Sequence, residues 1–106
     1  MAELVTDPTD PRLGRGVDDT PGQQNEAYLV LSEEERLKGF VRPVRETYRH
    51  DTCGTNTSMS LAIAQTYARD PSFYGATYCV RCAKHLPVQE FRWVAPNGVL
   101  EGRVGS

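Results

Sequence analysis

Apolar residues are sparse over the first 27 positions and then recur in short bursts that set the expected elements. Tyr28 to Leu31 is an apolar run that reads as a strand or as the lead-in to a helix. Ser32 follows, with Glu35 three residues on, which is a capping box. Glu33 and Glu34 suit the positive end of a helix dipole, and Gly39 sits where a helix would stop, so a short helix is expected over 33–38. From Phe40 to His50 the string FVRPVRETYRH alternates, with Val44, Glu46, Tyr48 and His50 on one side and Arg45, Thr47 and Arg49 on the other. That period predicts a strand, and Pro43 confines its first part to a sheet edge.

The clearest helical period lies in TNTSMSLAIAQTYARDP, residues 55–71. Asn56 or Thr57 is the expected cap, and Asp70 before Pro71 the expected end. On a helical wheel Met59, Leu61, Ile63, Ala64, Tyr67 and Ala68 form a wide apolar arc, with Gln65, Thr66 and Arg69 outside it, so the helix is expected to pack on two neighbours. Beyond it, FYGATYCVRC predicts a turn at Gly75 and a strand, Val88 to Val94 a further strand, and Pro96-Asn97-Gly98 a turn that closes a C-terminal β-hairpin.

With 106 residues, 39% of them hydrophobic, the chain holds one domain with a modest core. Residues 1–27 carry Pro8, Pro11, Gly14, Gly16 and Pro21 among several aspartates and bury too little to offset ordering entropy. They are expected to form a flexible acidic N-terminal tail, with residues 28–106 as the domain. A unit that small is one in which a metal staple is expected.

The candidate staple is explicit. His50-Asp-Thr-Cys53 and Cys79-Val-Arg-Cys82 are matched pairs, each with two residues between ligands, and 25 residues separate them. A tight turn can aim both side chains of such a pair at one ion, and Cys3His sets bind structural Zn2+ tetrahedrally. Three cysteines also suit a zinc scheme better than a disulfide scheme, which would strand one thiol. His85, three residues after Cys82, is an alternative fourth ligand. His50 is preferred because it makes the halves symmetrical and because Gly54 lets backbone amides fold back over the Cys53 sulfur. A thioredoxin-like role for Cys79 and Cys82 would need a βαβ setting that the pattern lacks, and a hydrolytic zinc would need an open position and a neighbouring base. The expected fold is a small α+β zinc-stabilised domain, two zinc knuckles joined by a helix with short antiparallel strands.

Charge is unevenly divided beneath the net −2. Residues 1–35 hold nine acids against Arg12 and Arg15, a balance of −7, and the remainder holds ten bases against five acids, a balance of +5. Arg42, Arg45 and Arg49, then Arg81, Lys84 and Arg92, lie beside the two ligand pairs and are interleaved with Tyr48, Phe91 and Trp93, a composition able to meet a phosphate backbone or a protein partner. No apolar stretch approaches 18 residues and no signal peptide is legible, so a cytoplasmic protein without a membrane partner is expected.

The strings GFVRPVRETYRH, TYARDPSFYGATYC and PVQEFRW, together with both ligand pairs, resemble a group of small zinc-ribbon-like proteins encoded by bacteriophages and prophages. The resemblance spans about residues 25–106. It implies a phage-derived protein acting in the bacterial host cytoplasm and carries no mechanism with it. The expectation is a non-enzymatic adaptor or modulator that binds a host or phage protein, with no small-molecule substrate; a nucleic-acid-binding protein using the basic and aromatic flank is the alternative.

Overall fold

Two hairpins of the same design dominate the computed structural model, which describes residues 3–13, 17–18, 21–22 and 24–105. In chain order the elements are β1 (Glu3–Val5), β2 (Ala27–Leu29), α1 (Glu33–Arg36), β3 (Thr47–His50), β4 (Asn56–Ser58), α2 (Leu61–Arg69), β5 (Ala76–Cys79), β6 (Lys84–Pro87), a 3-10 turn (Val88–Glu90), β7 (Phe91–Val94) and β8 (Leu100–Arg103). The strands form an antiparallel sheet in the order β4-β3-β7-β8, a separate β5-β6 hairpin and a parallel β1-β2 pair. The chain is thus a small α+β unit, as its pattern predicts.

Half of the expected capping box forms at α1: the Ser32 hydroxyl accepts from the Glu35 amide, while the Glu35 carboxylate pairs with Lys38 and Arg69. The following segment is not the expected strand until Thr47. Pro43 cannot donate to a ladder, and the Val41 and Arg42 amides are instead spent on the Ala68 carbonyl at the end of α2. The second helix is shorter than its period suggests. Asn56 to Ser58 pair with β3, Tyr48 opposite Thr57, and Ser60 caps the helix by accepting from the Ile63 amide. Asp70 ends it as expected. Two positions leave the expected wheel: Leu61 is exposed, while Thr66 is fully buried. Burial of Thr66 is tolerated because its hydroxyl donates to the Ala62 carbonyl and accepts from the Leu31 amide.

Lys84 to Pro87 form a strand that the sequence pattern does not announce, and the expected strand from Val88 begins only at Phe91. The C-terminal hairpin is present, closed by Ala95 and Val99 around Pro96-Asn97-Gly98. Ahead of Tyr28, where the domain boundary was expected, β1 pairs with β2, which itself starts at Ala27. Further along this arm the Asp18 amide donates to the His85 carbonyl, the His85 amide donates to the Asp18 carboxylate, and the Gly22 amide bonds to the Ala83 carbonyl. Gly14, Arg15, Gly16 and Asp19 lie outside the described residues.

The core joins α2 to the inner face of the four-stranded sheet. Tyr48, Tyr67, Phe91 and Trp93 are buried together with Val88, Val104 and Cys79. Their rings meet edge to face, with Tyr67 and Trp93 at 5.3 Å and Tyr48 and Phe91 at 5.4 Å, the arrangement favoured by ring quadrupoles. Cys53 and Cys82 pack against this cluster.

Candidate metal centre

Each ligand pair occupies the same place in its hairpin. His50 ends β3 and Cys53 lies in the turn to β4; Cys79 ends β5 and Cys82 lies in the turn to β6. The residue after the second ligand is left-handed in both, Gly54 at φ 70° and Ala83 at φ 54°. In each turn an amide folds back to the strand end, Gly54 to the His50 carbonyl and Ala83 to the Cys79 carbonyl, both at 2.8 Å. The repeated spacing therefore reflects a repeated turn.

The turns bring one nitrogen and three sulfurs together, all within 4.8 Å of one another. His50 Nδ1 is 3.3 Å from the Cys53 sulfur and 3.6 Å from that of Cys82, and the Cys53 and Cys79 sulfurs are 3.5 Å apart. A tetrahedron with Zn–S near 2.3 Å and Zn–N near 2.0 Å has edges of about 3.5 to 3.8 Å. The cluster could hold a metal ion on geometry alone.

Its electrostatics point the same way. His50 Nε2 lies 2.9 Å from a Glu90 carboxylate oxygen, so a neutral ring donates there and turns its Nδ1 lone pair towards the sulfurs. Burial lowers the His50 pKa, but the hydrogen bonds to Glu90 and Cys53 outweigh it and the net shift is upward. Burial likewise opposes ionisation of Cys53, yet hydrogen bonds from the Thr55 amide and His50 draw that thiol down. Cys82 is pushed up, first by burial and then by the neighbouring sulfurs. A site that attracts positive charge and resists a second thiolate is one that a dication completes.

His85 is not part of this cluster. Its Nδ1 is 2.6 Å from Asp18 Oδ2 and its Nε2 2.6 Å from the Tyr28 hydroxyl, so both ring nitrogens are engaged on the arm side of β6. Glu90 carried no signal in the sequence, since only the β3-β7 register, His50 opposite Phe91, brings it to the ring.

The basic residues are dispersed. Arg49 and Arg92 are brought side by side on the outer face of the sheet, and Arg92 in turn is opposite Arg103. Asp51 pairs with both Arg92 and Arg103. Arg45 is withdrawn, its guanidinium 5.0 Å over the Trp93 ring, with Glu101 as its ion-pair partner. Arg42 lies in the loop after α1, and Arg81 and Lys84 belong to the β5-β6 hairpin. The aromatic residues between them, Tyr48, Phe91 and Trp93, face the core and are not available to stack on a base. What sequence reasoning passed over is an exposed apolar strip in the loop after α1: Leu37 and Val41 are 60% and 55% exposed, and Phe40 and Val44 are exposed beside them.

Among the described residues no helix is long and apolar enough to cross a membrane. Compared with protein-family models, with curated proteins and with solved structures, the chain matches none.

Proposed function

We propose that the chain is a non-enzymatic binding module, stapled by one structural Zn2+ on His50, Cys53, Cys79 and Cys82, that docks a protein partner. Zinc is the ion of choice because a three-thiolate, one-imidazole tetrahedron suits it among divalent metals. Four protein donors complete that tetrahedron and leave no position for water or substrate, so the metal acts on stability rather than on chemistry.

The observation that carries the protein-binding reading is the exposed strip Leu37 to Val44. Four large apolar side chains within eight residues of irregular backbone resemble the apolar centre of an interface, and Arg42 beside them favours a partner whose own apolar patch is bordered by acids. On the resemblance of its sequence, the setting is a phage protein in the cytoplasm of a bacterial host, with a host or phage protein as the target.

The nucleic-acid reading retains one specific support, the Arg49, Arg92 and Arg103 row across three strands. The test is affinity capture from a bacterial lysate, with and without nuclease, over a range of salt, using the chain and a Phe40→Asp, Val41→Asp double variant. The protein reading expects a captured protein that survives nuclease and moderate salt and is lost with the double variant. Loss on nuclease treatment, with retention by the double variant, would transfer the function to the arginine row.

A further inference from the structure

All five tyrosines of the chain line one cavity of about 390 Å³, which lies between α2, β4, β5 and the N-terminal arm. Met59 and Ile63 form part of its wall, Leu4 of β1 contributes from the arm, and the exposed residues Gln24, Ser58 and Ser60 mark its mouth. The space is of the size that small-molecule sites occupy, and it adjoins a core in which Tyr67 and Trp93 are packed ring against ring.

We propose that this cavity is a binding site for a small, neutral, flat aromatic molecule. The hydroxyls around it are largely spent elsewhere: Tyr48 donates to the Tyr78 carbonyl at 2.5 Å, Tyr74 to the Leu29 carbonyl at 2.5 Å and Tyr78 to the Gly22 carbonyl at 2.8 Å. Tyr28 is bound to His85. What these residues offer the cavity is ring surface, which rewards stacking and edge-to-face contact. Burial also raises the pKa of Tyr48, Tyr67 and Tyr74, so those phenols stay neutral.

No charged side chain is among the described residues that line the space. Among the described residues an anion would therefore find no cationic partner. A cation would gain the ring faces but meet no carboxylate among the described residues, whereas a neutral ring gains the same faces without giving up a charge's hydration shell. The arm closes the outer side and is held there by the Asp18 contact to His85 and by the Gly22 amide on Ala83.

The experiment titrates the isotopically labelled full chain with quinoline and, separately, with N-methylquinolinium, a permanent cation of nearly the same outline. Quinoline is expected to move the amide resonances of Ile63, Tyr67 and residues 76–78 saturably, with the cation weaker by about tenfold or more. Ala76→Phe and Ile63→Phe each place a ring in the cavity and are expected to abolish the shifts while the rest of the spectrum stays folded. Unsaturable or scattered shifts with quinoline, equal binding of the cation, or undiminished binding by both variants would overturn the assignment.

Discussion

His50 uses its two ring nitrogens differently: Nε2 is held by Glu90 at 2.9 Å, and Nδ1 faces the sulfurs. A carboxylate in this position fixes the tautomer and sharpens the imidazole as a ligand, so Glu90→Gln is expected to weaken zinc binding by about 10- to 100-fold with the fold retained at saturating metal. Competition with a chromophoric chelator reads this directly, and an unchanged affinity would remove Glu90 from the site. The same assay ranks the histidines: His50→Ala should lose far more affinity than His85→Ala, whose ring is committed to Asp18 and Tyr28. Ala83 pays for its turn with a left-handed backbone that alanine adopts reluctantly. Ala83→Gly should therefore stabilise the chain by about 0.5 to 1 kcal/mol, and Gly54→Ala at the equivalent place should cost about 1 kcal/mol or more, both measured by chemical denaturation. The clustering of the His50–Cys53 and Cys79–Cys82 pairs was legible because a turn writes itself into local spacing. Glu90 was not, because it reaches His50 only through strand register.

At the scale of elements, α1 was legible from Ser32 and Glu35, since a cap is a local hydrogen bond. The start of α2 was misplaced because Asn56 and Thr57 are also good caps, and only pairing with β3 commits them to a strand. Ser60→Ala should accordingly cost about 1 kcal/mol, while Asn56→Ala, exposed on an edge strand, should cost little. Comparable losses at the two positions would contradict the observed start. Strand β6 was hidden for a related reason: KHLP has little strand character of its own and is held by pairing with β5. The arm makes a pH-dependent prediction. The Asp18 carboxylate is held below its ordinary pKa, first by the His85 amide and then by the His85 side chain. A carboxylate with a depressed folded pKa contributes stability above its unfolded pKa and loses it as pH falls through the folded one. Hydrogen-exchange protection of the Asp18 and Gly22 amides should thus fall on acidification, and Asp18→Asn should flatten that dependence. Protection that persists into acid would show that the carboxylate does not hold the arm.

Across the whole molecule the division of charge seen in the sequence is partly settled within the arm, where Glu3 and Asp10 pair with Arg12, while Asp18 hydrogen-bonds to His85 of β6. Glu3, Asp10 and Asp18 therefore meet partners other than the arginine row of the sheet. His50, Cys53, Cys79 and Cys82 bring together two hairpins that belong to different sheets, β3-β4 and β5-β6. Structural zinc in small domains is worth about 10 to 16 kcal/mol of apparent binding free energy, as much as the whole stability of an ordinary domain. Metal removal is expected to unfold the chain rather than loosen it, and a strong chelator should abolish the near-ultraviolet signal of its tyrosines and Trp93 together. The central claim, one closed structural zinc site, is tested most directly by zinc-edge X-ray absorption on the purified chain. One zinc per chain with three sulfurs near 2.3 Å, one nitrogen near 2.0 Å and no further ligand is the expected result. A spectrum that requires an oxygen ligand, or a folded chain that carries no zinc, would contradict it.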